Sequence, residues 1–141
     1  MAMSHANVYV AQVSMGANMQ QYLTALTEAE SYPGASIIIA YSPCIAHGEN
    51  MSRSMHAEKL AVESGYFPLY RFDPRNKAEG KNPLSIDSKT PSVEITDFLN
   101  TQGRFTSLYK VLGKEQADEL FNELKKESQE RLAFLEKLSR M

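Results

Sequence analysis

Residues 36–41 read SIIIAY, an unbroken apolar run of strand formers between Gly34 and Pro43. A continuous rather than alternating run predicts a strand covered on both faces, as in a parallel sheet. Upstream, residues 7–14 read NVYVAQVS, which is rich in strand formers and too short for a helix. Gly16 breaks that run. Asn18 followed by Gln21 has the form of a capping box and predicts a helix over 19–30, with Tyr22, Leu23, Leu26 and Ala29 on one side. Tyr32-Pro33-Gly34 ends it. Strand, helix and buried strand together make a βαβ unit, expected to be right-handed.

Working outward, a second helix is expected over 51–63, stopped by Gly65. Residues 67–72 suit a third strand, which Pro68 places at an edge or a strand start. The stretch 73–91 is polar and rich in Lys, Asn, Pro and Ser, and reads as a long surface excursion. Thr96 would cap a short helix with Phe98 and Leu99 inward, and residues 105–112 suit another. The last helix is expected over 114–138, with Ala117, Leu120, Phe121, Leu124, Leu132, Leu135 and Leu138 as its apolar stripe. Glu127 with Arg131, and Glu136 with Arg140, are oriented to pair along it. The fold class is therefore α/β, a parallel sheet with flanking helices and a long C-terminal helix. The chain divides into a core over 1–72, an excursion over 73–95 and a helical tail over 96–141, all within one unit spanning 1–141. Three strands are a thin basis for a parallel sheet covered on both faces. The sequence thus reads as the end of a larger α/β domain, or a piece that completes one.

Composition narrows the class. The chain has 141 residues, 43% hydrophobic and 23% charged, with 15 Lys and Arg against 17 Asp and Glu. That is one domain's length, too apolar for disorder and not basic enough to bind nucleic acid by charge. No run approaches the ~20 apolar residues of a membrane span, and no export signal is visible, so a cytoplasmic location is expected. Residues 1–65 carry only Arg53 and Lys59 as cations, whereas 114–141 carry six cations and seven anions. The first half reads as buried core and the last stretch as a solvated helix surface.

Ligands of open parallel sheets sit beyond the carboxyl ends of the strands. Two segments fall there. In Ser14-Met15-Gly16-Ala17-Asn18, free backbone N–H groups could hold an anion, although an ordinary turn has the same pattern. In Ser42-Pro43-Cys44-Ile45-Ala46-His47-Gly48 lies the only thiol of the chain. One cysteine excludes an internal disulfide or a self-contained cluster. Four readings of Cys44 stay open: a buried inert thiol, a nucleophile paired with His47, a zinc site with His47, or one ligand of a cluster completed by another segment. His5 and His56 read as surface groups. Arg71, Asp73 and Arg75 read as solvated pairs more than as an anion site. Tyr66, Phe67, Tyr70 and Phe72 read as core.

The segments NVYVAQVSMGAN (7–18), EAESYPG (28–34), IIAYSPCIAHG (38–48), LAVESGYFPLY (60–70) and EGKNPLSID (79–87) resemble, in order and over nearly the whole chain, the pyruvate:ferredoxin (flavodoxin) oxidoreductases. More exactly, they resemble the C-terminal part of the thiamine-diphosphate-binding domain of that family. The resemblance implies oxidative decarboxylation of pyruvate with coenzyme A, giving acetyl-CoA and carbon dioxide. Electrons would pass through 4Fe-4S clusters to ferredoxin or flavodoxin. It implies thiamine diphosphate and Mg2+ as cofactors, and a homodimer as the complete enzyme. It also implies that the cluster nearest thiamine takes its last ligand from the loop matching 42–48, which makes Cys44 the cofactor-binding and metal-ligating residue. The family's GDG segment for Mg2+ and diphosphate has no counterpart here, so no catalytic base or thiamine ligand carries over. The expectation is a C-terminal fragment or truncated product, inactive alone and dependent on the remainder of the polypeptide. Two rival readings are a stand-alone α/β binding or assembly module without activity, and a thiol enzyme using Cys44 and His47.

Overall fold

The computed structural model describes residues 2–5 and 7–141; Met1 and Ala6, within the expected core range, lie outside them. The elements follow in the order β1 (Val8–Val13), α1 (Met19–Ser31), β2 (Ala35–Ala40), α2 (Ser54–Glu63), β3 (Tyr70–Phe72), β4 (Leu84–Ile86), α3 (Ile95–Leu99), α4 (Gly103–Thr106), α5 (Leu108–Leu112) and α6 (Lys114–Ser139). The four strands form one sheet in the order β2-β1-β3-β4. β1 and β2 run parallel, with Val8 opposite Ala35 and Val13 opposite Ala40. The helix between them makes that direction possible, because a parallel return needs a crossover.

The sheet is mixed, not parallel as expected. β3 runs antiparallel to β1, with Val10 opposite Phe72, and β4 runs antiparallel to β3. A strand of three residues carries no directional signal in its side chains, so its sense is set by packing. β4 lies inside the polar stretch 73–95, where its Leu84 is buried. Asp73 opens the connection between β3 and β4, its carboxylate accepting the backbone N–H of Arg75 at 3.0 Å.

Alternation sorts the sheet's two faces. Tyr9, Ala11 and Val13 pack against Ala25, Tyr22 and Ala29 of α1. Val10, Tyr70, Phe72 and Leu84 pack against Leu135 of α6. A third cluster joins Ala61 of α2, Ile95, Phe98 and Leu99 of α3, and Phe121 of α6, ringed by aromatic side chains. Within it Tyr66 and Phe98 lie 4.6 Å apart centroid to centroid, and Tyr41 meets Phe67 edge-on at 5.2 Å.

β2 departs from its expected environment. Ile37 and Ile39 share the face of Val10 but stay 42% and 39% exposed. α6 covers the β3–β4 end of that face through Leu135. The outer edge of β2 pairs with nothing among the described residues. Met19, Leu23 and Leu26 of α1 are likewise exposed. Ile38 and Tyr41 of SIIIAY pack against the core, but among the described residues Ile37 and Ile39 lack the cover that the run predicts.

Other local expectations resolve as follows. Asn18 does cap α1, accepting the backbone N–H of Gln21 at 3.0 Å. The Gln21 side chain does not reach back; it donates to the Gln12 carbonyl at 3.2 Å and to Asp87 at 3.0 Å. In α6 the Glu136–Arg140 pair forms at 3.7 Å. Arg131 instead donates to the Tyr66 carbonyl at 2.6 Å. Arg71 is half-buried between Glu28 of α1 and Asp87 beyond β4, and Tyr9 also donates to Glu28 at 2.8 Å. Each of its three guanidinium nitrogens donates to a carboxylate, and these charges hold its pKa above the usual range, Asp87 foremost.

Candidate functional site

The parallel pairing of β1 and β2 brings their carboxyl ends side by side, and Tyr41 extends it by donating its N–H to the Val13 carbonyl at 2.9 Å. The loops over 14–18 and 42–48 leave from these neighbouring tips. They are the two segments singled out by the sequence.

The first loop is already holding an anion of its own. Glu58 of α2, a buried residue, accepts the Ser14 hydroxyl at 2.8 Å and the Gly16 backbone N–H at 2.9 Å. A Cβ at Gly16 would come within 2.9 Å of the Glu58 carboxyl carbon, so the glycine permits the contact. Two of the loop's backbone donors, Gly16 and Asn18, are therefore spent inside the fold, Asn18 on the Ser14 carbonyl at 2.9 Å. Sequence reading did not single out Glu58. Its partners lie 42 and 44 positions away, and no local pattern encodes that separation.

The second loop carries Cys44, four residues beyond the last residue of β2, with the thiol-bearing residue partly exposed. Its carbonyl accepts the His47 N–H at 3.1 Å, and Gly48 donates to the Ile45 carbonyl at 2.9 Å, forming one 3-10 turn over Ile45–His47. Gly48 has φ +69, and a Cβ there would lie 2.7 Å from the Cα of Gly103. Only glycine satisfies both demands. The Gly103 N–H then donates to the Gly48 carbonyl at 3.2 Å.

Glu49 closes the loop. It is 7% exposed, and one carboxylate oxygen, Oε1, has no hydrogen-bond partner among the described residues. Burial pushes its carboxyl above the usual range, opposed by the backbone N–H of Cys44, then raised further by Glu58 and offset by His47 and Arg104. A folded-state pKa above the unfolded one means the folded state binds the proton more tightly. Stability is then full below the unfolded pKa and is lost as pH rises through the folded pKa. Glu49→Gln should therefore raise the urea midpoint near neutral pH and leave it unchanged at about pH 3 and below, where the carboxyl is protonated in both states. Equal midpoints at neutral pH would contradict that electrostatic cost.

Among the described residues no hydrogen bond joins the Cys44 thiol to the His47 ring, and no group of three or more His, Cys, Asp and Glu is placed to hold a metal ion. His5 and His56 are exposed. The one thiol is partly exposed, four residues beyond β2. A single thiol lacks the ligands of a self-contained cluster, whose other thiolates would have to come from elsewhere. No helix of the described residues is long and apolar enough to cross a membrane.

No protein-family model matches the chain. Among curated proteins it is 50% identical over 139 residues to the pyruvate:ferredoxin oxidoreductase of Moorella thermoacetica, covering 99% of this chain and 12% of that protein. It is 45% identical over 141 residues to the pyruvate-flavodoxin oxidoreductase of Klebsiella pneumoniae, again 12% of its length. A mitochondrial NADP(+) pyruvate dehydrogenase of Euglena gracilis is 50% identical over 112 residues, 6% of that protein. The relatives are pyruvate oxidoreductases, and the chain matches one segment of about an eighth of the length of the first two.

Proposed function

We propose that this chain is one segment of a pyruvate:ferredoxin or pyruvate:flavodoxin oxidoreductase, and that Cys44 supplies one thiolate to the 4Fe-4S cluster nearest thiamine. The complete enzyme would oxidatively decarboxylate pyruvate with coenzyme A and pass electrons to ferredoxin or flavodoxin. The observation that carries this reading is identity of 45–50% across almost the entire chain to one stretch of much longer pyruvate oxidoreductases. Two features of the fold support it. The lone thiol sits at a strand's carboxyl end, where ligands of parallel strands gather. The outer edge of β2 and the face carrying Ile37 and Ile39 are uncovered among the described residues, as expected for a sheet continued by further polypeptide.

On this proposal, thiamine diphosphate and Mg2+ are held by the remainder of the enzyme. The cluster, when bound, carries electrons one at a time. The chain's own part is positional. Glu58 fixes the 14–18 loop, the contact of Gly48 with Gly103 fixes the exit of the 42–48 loop, and Cys44 would supply one sulfur ligand to the cluster. The chain alone would be without activity. The enzyme would be a cytoplasmic homodimer.

A chimera tests this. The matching segment of the Moorella enzyme is exchanged for this chain, and pyruvate-dependent reduction of ferredoxin is measured. The expected rate is within about tenfold of the parent enzyme, since a relative's segment should restore the same positioning. A chimera that folds and carries its full iron but reduces no ferredoxin would reject the proposal. It would favour the rival reading of a self-standing assembly module, which draws on the long terminal helix α6 and the absent catalytic parts.

A further inference from the structure

We propose that Gln102 is a positioning residue for Cys44, holding both ends of the cysteine loop with a single side-chain amide. Gln102 lies between α3 and α4 and is fully buried. Its Nε2 donates to the Tyr41 hydroxyl at 2.8 Å and to Glu49 Oε2 at 3.3 Å. Tyr41 and Glu49 are the residues immediately before and after the loop over 42–48. The Gln102 Oε1 accepts from Arg104 Nε at 2.7 Å, so both ends of the amide are engaged and its orientation is fixed.

The backbone repeats the clamp. Glu49 and Gln102 face each other in an antiparallel bridge, and Gly103 donates to Gly48. The Tyr41 ring is held from its other side by Phe67, with Phe98 beyond. Both anchor points of the loop are thus set by packed, buried groups 53 and 61 positions away in sequence.

Holding both ends removes most of the freedom of the loop before any partner arrives. A ligand that must meet iron at one corner of a cluster gains from that preorganisation, because the ordering cost falls in folding and not in cluster capture. The Cys44 carbonyl is already committed to the turn through His47, which leaves the thiol as the free part of the residue. Gln102 therefore acts through Tyr41 and Glu49, without touching the sulfur.

The inference rests on the proposal that Cys44 is a ligand, and its test reads the loop directly. In the chain itself, Gln102→Leu removes both hydrogen bonds to the loop anchors and should speed hydrogen exchange across 42–48 and alkylation of Cys44 by iodoacetamide on the order of 25-fold, about fivefold for each bond. Amides of β1 and α6 should stay as slow as in the parent. Tyr41→Phe removes one leg of the clamp and should move both readouts the same way by a smaller factor. In the iron-loaded chimera, Gln102→Leu should also shift the electron paramagnetic resonance lines of the cluster nearest thiamine. Unchanged loop exchange and thiol reactivity in Gln102→Leu would overturn the role, and so would acceleration in step with β1. If Gln102→Leu does not fold, Tyr41→Phe with an unaltered loop overturns it instead. Faster loop exchange with cluster lines that do not move would retain the clamp but remove its bearing on iron, and so contradict the proposed role toward Cys44. An iron complement unaffected by Cys44→Ala would instead count against the ligand assignment itself.

Discussion

Phe98→Ala should cost the folded chain about 3–5 kcal/mol, the usual range for removing a fully buried aromatic side chain. The ring is 0% exposed. Its centroid lies 4.6 Å from Tyr66, 6.3 Å from Tyr41 and 6.5 Å from Phe105. These neighbours cannot slide in to fill the space. Tyr41 is tied by its hydroxyl to Gln102, and the Tyr66 carbonyl accepts from Arg131 of α6. The cavity therefore stays open, and the cavity cost adds to the lost burial. Domains of this kind have about 5–15 kcal/mol in total, so most of the margin would go. A urea midpoint lower by about 2 M is expected, with an unchanged slope. A loss below about 1 kcal/mol would mean that the aromatic cluster can repack, which this geometry does not allow. The cysteine loop should loosen as well, because Tyr41 loses one of its supports.

Cys44→Ala in the chimera should abolish pyruvate-dependent ferredoxin reduction while thiamine binding largely persists. The substitution removes a soft anionic donor and leaves a methyl group, which iron cannot use. Nothing nearby replaces it: among the described residues no second thiol and no cluster of metal-ligating side chains adjoins Cys44. Thiamine persists because this chain has no GDG segment and supplies no recognised ligand for diphosphate or Mg2+. The two readouts therefore separate, with electron exit lost and cofactor retained. Cys44→Ser is the weaker probe, since a serine oxygen can still ligate iron. A Cys44→Ala chimera that reduces ferredoxin at the parent rate would remove the ligand role.

The parts of the fold that the sequence displays are those encoded locally. The βαβ unit follows from two apolar runs and an asparagine cap, and the cap is found where Asn18 and Gln21 place it. The stripe of α6 is legible for the same reason, with Ala117, Phe121, Leu132 and Leu135 buried, but Leu120 of the expected stripe is 43% exposed. The antiparallel sense of β3 and the existence of β4 are not legible. Leu84-Ser85-Ile86 is too short to show a period, and it is embedded in polar sequence. The exposure of Leu23, Leu26, Ile37 and Ile39 marks a different limit. Their apolarity is consistent with burial against polypeptide beyond this chain. Around the candidate site, Cys44 stands out because it is alone. Glu58 and Gln102 do not, because a glutamate on a helix and a glutamine in a turn look ordinary until the fold delivers their distant partners.

Iron content settles the central claim most directly. The chimera and its Cys44→Ala variant are purified anaerobically, and iron is counted per polypeptide beside the low-temperature resonance spectrum of the reduced protein. A thiolate from this segment bound to the cluster nearest thiamine predicts a variant short by about four irons, one 4Fe-4S centre, with the corresponding signal absent or reshaped. Equal iron and superimposable spectra would show that the cluster is held without Cys44 and would contradict the account.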